Sequence, residues 1–240
     1  NFKLGIIGLG NVGSRLVKMA QLLGWDVIAY DPFVQLPNVQ QSDLNAVLQQ
    51  ADAISIHVPL TETGEHPTYH LINATRLARM KPQAMLINSA RGPVVEEAAL
   101  MQDIQRTQRL VVLDVFEYEP EISAELLDLL ALATPHIAGY SLEGKARGTQ
   151  MIYQAFCENF GLDATKQFET QLPSCAQYFK TQDLKNSLHA HLNQIYDIAQ
   201  DDANLRACVK AGKVEQQAFD HLRKTYPLRR EWAAHGGPQA

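Results

Sequence analysis

Three polar residues in the middle of the sequence are candidates for acid–base chemistry. They are Arg91, Glu119 and His136, separated by steps of 28 residues (119 − 91) and 17 residues (136 − 119). An imidazole titrates near neutral pH, a guanidinium fork matches a carboxylate, and a carboxylate beside an imidazole orients it. We predict that His136 takes a hydroxyl proton, Arg91 holds a carboxylate and Glu119 orients His136. Such a set suits oxidation of a 2-hydroxy acid, provided that a hydride acceptor binds nearby.

A glycine-rich loop near the N-terminus is the expected site for that acceptor. Gly8-Leu9-Gly10-Asn11-Val12-Gly13 follows an apolar run and opens a helical pattern. The first glycine permits a tight turn, the second lets the backbone approach a pyrophosphate, and the third packs the helix on the strand. Free N–H groups at the helix N-terminus bind the phosphates. We therefore predict dinucleotide contacts from Gly8, Gly10, Asn11, Val12 and Gly13; a glycine turn without a ligand is the alternative.

Asp31 indicates which dinucleotide binds. It ends an apolar run and lies eighteen residues beyond the last glycine of the loop (31 − 13). A carboxylate at this position accepts hydrogen bonds from the adenosine ribose and repels a 2′-phosphate. Pro32 and Phe33 follow it, and no arginine stands near it in the sequence. The predicted cofactor is therefore NAD.

An alternation of strands and helices would place these residues at one edge of a sheet. From Leu4 to about Leu132, short apolar runs alternate with longer amphipathic stretches, the pattern of repeated βα units. Open parallel sheets bind ligands at the carboxyl ends of their strands. We predict strands at Leu4–Ile7, Asp26–Tyr30, Ala53–His57, Ala84–Asn88 and Leu110–Asp114. Helices are predicted at Val12–Leu23, Asp43–Gln50, Asn73–Arg79, Val95–Gln105 and Leu142–Phe160.

The predicted fold class is α/β, a doubly wound parallel-sheet (Rossmann) NAD-binding domain followed by a small α+β dimerisation domain. We assign residues 1–160 to the first domain with its return helix, 161–173 to a linker and 174–240 to the second domain. The second domain contains a helical pattern at Gln182–Ala199 and another around Phe219. Because so small a domain buries little core alone, we expect it to form a homodimer.

The composition argues against several other classes of protein. The chain is 46% hydrophobic and 20% charged, as in ordinary globular proteins. A net charge of −5 gives no electrostatic footprint for nucleic acid or an anionic membrane. No apolar run approaches the roughly 18 residues that span a bilayer. The three scattered cysteines form no CxxC motif, so we expect reduced thiols in a cytoplasmic protein and no metal site.

The catalytic candidates and their surroundings resemble the D-isomer-specific 2-hydroxyacid dehydrogenases. The resemblance is carried by the order Arg, Glu, His, by Asn-Ser-Ala-Arg-Gly-Pro-Val-Val and by Asp-Val-Phe-Glu-Tyr-Glu-Pro, and it runs from Leu4 to near Phe160. It implies an NAD-dependent dehydrogenase. It further implies that NAD contacts Ser89, Asp114 and Gly139, that Val58 lines the nicotinamide side, and that Tyr140, with Arg91, binds the substrate.

Other motifs resemble one branch of that family, which oxidises a small phosphorylated 2-hydroxy acid in vitamin B6 synthesis. They are His136–Gly148, Gly64 with Pro67–Leu71, and Phe219–Lys224 leading to Arg229–Trp232. The branch implies the C-terminal dimerisation domain. Arg229 and Arg230 are then either a solvated surface pair or a source of the guanidinium that reaches the substrate phosphate across the dimer.

Other interpretations stay open. The chain could belong to a dehydrogenase of phosphoglycerate, glyoxylate or hydroxypyruvate, or to a non-catalytic NAD-sensing module with the same fold. The sequence starts at Asn1-Phe2-Lys3, directly before the first predicted strand. We therefore expect a fragment that lacks the family's N-terminal segment, which forms most of the substrate domain. Such a fragment should bind NAD without turning over a substrate.

Overall fold

The computed structural model describes residues 1–179 and 184–238 and confirms the doubly wound parallel sheet. Its strands are β1 Lys3–Ile7, β2 Asp26–Tyr30, β3 Gln40–Gln41, β4 Ala53–Ile56, β5 Met85–Asn88, β6 Val111–Leu113 and β7 Leu132–Ala133. They lie in the order β3-β2-β1-β4-β5-β6-β7, and each neighbouring pair is parallel. The order reverses at β1, which is where sheets of this kind bind ligands.

The helices are α1 Gly13–Leu22, α2 Leu44–Gln50, α3 Ala74–Leu77, α4 Glu97–Thr107, α5 Ala124–Leu129, α6 Leu142–Asn159, α7 Leu184–Ile195, α8 Ile198–Arg206 and α9 Gln216–Lys224. Side chains fix several helix starts, because an oxygen just before the first turn accepts one of its free N–H groups. Asp43, Asn73, Ser123 and Ser141 do this for α2, α3, α5 and α6. A short antiparallel hairpin joins β8 Val209–Lys210 to β9 Lys213–Val214.

The central strands β1, β4, β5 and β6 are largely buried on both faces, and accordingly they are mostly apolar. Successive residues of β1 divide between two clusters: Ile7 packs with Ile54 and Leu86, and Ile6 packs with Leu4 and others on the second face. The burial holds the strands rigidly and leaves their carboxyl ends to carry polar loops.

The described chain forms two compact units, the first made of residues 1–136 and 198–224. The later segment packs on the end of the sheet. Asp202 accepts the N–H of Ala133 at 2.7 Å, and Arg206 donates to the carbonyls of Leu127 and Leu130 at 2.6 and 3.1 Å. Three apolar side chains of this segment join the core beneath the sheet, namely Leu205, Val214 and Phe219.

The second unit comprises residues 137–197 and 225–239, of which 180–183 and 239 lie outside the described residues. Ion pairs link its two segments: Arg230 Nε to Glu143 Oε1 and Arg147 Nη2 to Glu231 Oε1, each at 2.5 Å. Arg229 donates to the Tyr226 hydroxyl at 2.6 Å. Both Arg229 and Arg230 are half-buried, so the interpretation of a solvated surface pair is wrong. The contact with a substrate phosphate stays a prediction.

The two compact units do not coincide with the predicted domains, whose boundaries we placed after residues 160 and 173. The predicted domain boundaries stay a prediction. The helix predicted at Gln182–Ala199 ends earlier, at Ile195, and α8 follows it separately. Gln182 and Asp183 lie outside the described residues. The predicted linker, 161–173, contains a 3₁₀ turn at Phe168–Gln171. Among the described residues, no helix combines the length and apolarity needed to cross a membrane.

Candidate active site

The glycine loop between β1 and α1 has the geometry expected of a phosphate-binding turn. Gly8 has φ +95°, and a Cβ there would lie 2.5 Å from the His57 carbonyl oxygen. A Cβ on Gly13 would lie 1.9 Å from the Gly8 carbonyl oxygen. No side chain therefore fits at either position. Gly10 has open space around it, and Val12, at the start of α1, makes no side-chain cap. The turn thus offers bare backbone N–H groups to a ligand.

Asp31, at the end of β2, is held rigidly by the backbone around it. Its Oδ2 accepts the N–H of Leu9 at 2.7 Å, which ties the carboxylate to the glycine loop. Its Oδ1 accepts from Phe33 and Val34 at 2.8 and 3.0 Å. Since a carboxylate has about four lone-pair sites, roughly one remains for a ligand hydroxyl. The side chain is therefore preorganised to accept a hydrogen bond from a ribose.

A cleft of about 620 Å³ opens beside these two elements. It is lined by Gly8, Gly10 and Asp31 together with Val58, and its volume lies in the range usual for small-molecule and cofactor sites. The glycine turn, the fixed carboxylate and this volume fit a dinucleotide.

Arg76 also lines this cleft, although no arginine stands near Asp31 in the sequence. It is 45 residues away in the sequence (76 − 31), yet it lines the same cleft. One of its guanidinium nitrogens donates to the Leu71 carbonyl at 2.6 Å. A positive group is therefore present in the lining of the cleft.

His57 also lines the cleft, but its surroundings do not favour a role as a catalytic base. Its Nε2 lies 2.8 Å from the Ser55 hydroxyl oxygen. Burial lowers the pKa of His57 to about 4, because the charged imidazolium is poorly solvated there. The ring is therefore neutral at physiological pH.

Glu119 and His136 are brought together at the carboxyl edge of the sheet. Glu119 follows β6 and His136 follows the neighbouring β7, and His136 Nδ1 lies 2.9 Å from Glu119 Oε2. The other carboxylate oxygen, Oε1, accepts the N–H of Phe116 at 2.8 Å, which fixes the carboxylate. The His136 side chain is 33% exposed. Because Nδ1 faces Glu119, Nε2 is the ring nitrogen that we expect to act on a substrate proton.

Arg91 lies at the same edge, after β5. The buried Asn88 shapes its loop, accepting from Ala90 N–H at 3.0 Å and donating to the Arg91 carbonyl at 2.9 Å. The Arg91 side chain is exposed, and its Nη1 donates to the Ala90 carbonyl at 2.6 Å. A Cβ on Gly92 would lie 1.8 Å from the Phe116 carbonyl oxygen, so this loop packs directly against the one that carries Glu119.

The residues assigned through the family resemblance fall in different parts of the molecule. Asp114 is buried after β6 and accepts the Thr134 hydroxyl at 2.5 Å, and Ser89 is half-buried directly after β5. Both lie in the first unit. Gly139 and Tyr140 belong to the second unit, where the Tyr140 ring packs edge to face on Tyr226 with centroids 5.8 Å apart. Contacts of all four with cofactor or substrate stay predictions.

The chain belongs to the D-isomer specific 2-hydroxyacid dehydrogenases. The sequence profile of the NAD-binding domain of that family matches residues 1–138. A second profile, described as a domain of unknown function, matches residues 172–235. The first unit therefore contains an NAD-binding domain of this family, and the cofactor is NAD.

Among curated proteins, the chain is similar to the erythronate-4-phosphate dehydrogenase of Acinetobacter baumannii (strain AYE). The two are 71% identical over 239 residues, which cover 100% of this chain and 67% of that protein. The enzyme of the same name from Acinetobacter baylyi is 68% identical over 240 residues, covering 100% and 68%. Among solved structures, a D-lactate dehydrogenase from Aquifex aeolicus complexed with NAD and lactic acid matches with a TM-score of 0.56 and 33% identity, covering 66% of this chain and 54% of that one.

Proposed function

We propose that the protein containing this chain oxidises 4-phospho-D-erythronate to 2-oxo-3-hydroxy-4-phosphobutanoate with NAD, in the synthesis of pyridoxal 5′-phosphate. The observation that carries the reaction type is the Glu119–His136 pair, 2.9 Å apart at the carboxyl edge of an NAD-binding sheet. The substrate is inferred from the name of relatives that are 71% and 68% identical to the chain.

His136 and Glu119 carry the proton transfer in this proposal. The substrate C2 hydroxyl gives its proton to His136 Nε2 while the C2 hydrogen leaves with its electron pair and the C–O bond becomes a carbonyl. Bound NAD supplies the acceptor for that hydride. Glu119 keeps Nδ1 protonated, holds the ring in one orientation and stabilises the imidazolium that forms.

Arg91 completes the set by binding the substrate carboxylate. A guanidinium offers two parallel N–H donors, which match the two oxygens of a carboxylate. Its present bond to the Ala90 carbonyl uses one nitrogen, Nη1, and the side chain is exposed. The fork can therefore turn to a substrate without breaking a buried ion pair.

A substrate panel tests this proposal. The chain should be joined to the part of the Acinetobacter baumannii relative that it does not match, and NADH formation followed with 4-phospho-D-erythronate, D-3-phosphoglycerate, D-glycerate and D-lactate. We expect turnover of the first substrate to dominate. A preference for another 2-hydroxy acid would point to the alternative dehydrogenases, and NAD binding without any turnover would point to an NAD-sensing module.

His136→Asn tests the assigned chemistry in the same chimera. We expect kcat to fall by about 10²–10⁴-fold, the usual worth of acid–base catalysis, while NAD affinity is unchanged. His221→Asn, at an exposed histidine of α9, is the matched control and should retain activity. An active His136→Asn variant would refute the role of His136.

We further propose that the protein acts as a cytoplasmic homodimer through the region after about residue 171. All three cysteines are free, as expected in a reducing compartment. Leu192 on α7 is 46% exposed, so an apolar side chain of this helix is available to a partner. Leu192→Glu should shift the mass measured by light scattering from dimer to monomer, whereas Asn193→Glu, which adds the same charge next to it, should not. A dimer in both variants would contradict this interface.

A further inference from the structure

Glu117 is a buried carboxylate that the proposed chemistry does not use. Its side chain is 7% exposed, and each of its oxygens has a partner from a different segment of the first unit. Oε1 lies 2.6 Å from His70 Nε2, and Oε2 accepts the backbone N–H of Glu97 at 2.8 Å. A buried carboxylate needs such partners, and losing them would leave a charge unpaired.

The bond to Glu97 caps a helix from outside. Glu97 is the first residue of α4, and its preceding residue, Glu96, makes no side-chain cap. Glu117 therefore supplies the missing acceptor and places negative charge at the positive end of the helix dipole. The chain runs from Arg91 through the 3₁₀ turn Gly92–Val94 and then through Val95 and Glu96 into α4. The cap thus fixes the far end of the loop that carries Arg91.

The partner His70 holds the same loop from the other side. Its backbone N–H donates to the Pro93 carbonyl at 2.8 Å, and Ile72 forms a parallel bridge with Val95. Its ring stacks on Tyr69 with centroids 4.0 Å apart, which fixes its orientation toward Glu117. The loop from 91 to 97 is therefore clamped between the His70 segment and Glu117.

Glu117 also lies two residues from Glu119, on the loop that follows β6. The backbone at 116–117 is in direct contact with Gly92, where a Cβ would meet Glu117 N at 2.6 Å. Two loops with different catalytic candidates thus meet at one carboxylate. Burial, and then the charge of Glu117, raise the pKa of Glu97 to about 7, so the neighbouring carboxyl is partly neutral near that pH and repels Glu117 less.

We propose that Glu117 is a positioning residue: by bridging His70 and the first N–H of α4, it fixes the Arg91 loop against the loop that carries Glu119. The inference rests on the proposed function for the roles of Arg91 and Glu119. Glu117 itself need not touch a substrate. Its removal should loosen the carboxylate-binding loop and leave the glycine loop and Asp31 intact.

Hydrogen exchange on the 240-residue chain tests the clamp without any substrate. Glu117→Ala removes both bonds, and Glu117→Gln keeps the shape and one oxygen acceptor. Glu121→Ala is the control, because Glu121 lies on the same loop but pairs with Lys213 at the surface. We expect amides of 91–97 to exchange at least about tenfold faster in Glu117→Ala, less so in Glu117→Gln, and as in the wild type in Glu121→Ala.

Kinetics of the chimera distinguish a positioning role of Glu117 from a general loss of stability, because only a positioning role changes substrate kinetics while NAD affinity is unchanged. For Glu117→Ala and Glu117→Gln we expect a raised KM for the hydroxy acid and a kcat lowered by roughly 10–100-fold, with unchanged NAD affinity. The proposal would be overturned if either Glu117→Gln or a folded Glu117→Ala showed both the amide exchange rates and the KM of the wild type. A wild-type chimera that is inactive on 4-phospho-D-erythronate would instead refute the proposed function, and the exchange result would still decide the role of Glu117.

Discussion

Asp31 should set the preference for NAD over NADP, and the structure gives the size of the effect. The carboxylate already accepts three backbone N–H groups, which leaves roughly one lone-pair site for a ribose hydroxyl. Asp31→Ala should remove that bond, and a hydrogen bond to a charged group is worth about 1.5–3 kcal/mol. NAD binding should therefore weaken by roughly 10–150-fold.

Asp31→Ala should also strengthen the binding of NADP. Two negative charges about 4 Å apart repel by about 1 kcal/mol in water and about 4 kcal/mol at the effective dielectric of a protein surface. That repulsion between Asp31 and a 2′-phosphate disappears, and Arg76, which lines the same cleft, can then pair with the phosphate. Adding the two lower bounds gives about 2.5 kcal/mol, so the preference for NAD should narrow by at least roughly 70-fold.

Calorimetric titration of the chain with NAD and NADP measures both affinities directly. Asp31→Asn should fall between the wild type and Asp31→Ala, since it keeps one oxygen acceptor and loses the charge. Asp26→Asn, at the exposed opposite end of β2, controls for the change in net charge. Arg76→Met in the Asp31→Ala background should remove the part of the NADP gain that comes from pairing with Arg76 and leave the part that comes from the lost repulsion. Equal affinities of the wild-type chain for the two cofactors would refute the reasoning.

Three further predictions concern stability, measured by urea unfolding. The pKa of Glu97 is near 4.5 in the unfolded chain and about 7 in the folded one, so the free energy of unfolding should fall as the pH rises from 4.5 to 7. Glu97→Gln should remove that part of the decline. An unchanged pH dependence in Glu97→Gln would contradict this prediction. Phe219→Ala, at a residue 2% exposed, should lower the free energy of unfolding by about 3–5 kcal/mol, whereas Phe160→Ala, at a residue 62% exposed, should change it little. A loss for Phe219→Ala as small as that for Phe160→Ala would show that Phe219 does not stabilise the core. Asp103→Ala should cost about 3–5 kcal/mol because it leaves the buried Arg109 guanidinium without its carboxylate, and a loss below about 1 kcal/mol would show that the pair is not needed.

Five of the seven strands of the parallel sheet could be predicted because each is a largely apolar run that packs into the core. β3 and β7 could not, since two residues carry no periodicity, and both are defined by the neighbours with which they pair. The packing of segment 198–224 on the end of the sheet could not be predicted for a similar reason. Asp202 and Arg206 look like surface charges in sequence, and only the fold places them against the end of the sheet.

Part of the candidate site could likewise be predicted from the sequence, and part could not. The proximity of Glu119 and His136 follows from their positions after successive parallel strands, whose carboxyl ends share one edge. Arg76 was missed because it stands 45 residues from Asp31 in the sequence and shares a cleft with it only in the fold. Glu117 was missed because its partner, His70, stands 47 residues away. The spacing of these residues in the sequence predicts neither arrangement.

The bond between Asp202 and Ala133 has a consequence for synthesis on the ribosome. The two residues are 69 positions apart, and at about 5–20 residues per second Asp202 is made roughly 3–14 s after the strand that it closes. During that interval β7 is an open sheet edge, and the pocket later filled by Leu205 and Phe219 is exposed. Nascent chains should therefore be most prone to aggregation, and most in need of a chaperone, after β7 has emerged and before residue 224 leaves the exit tunnel.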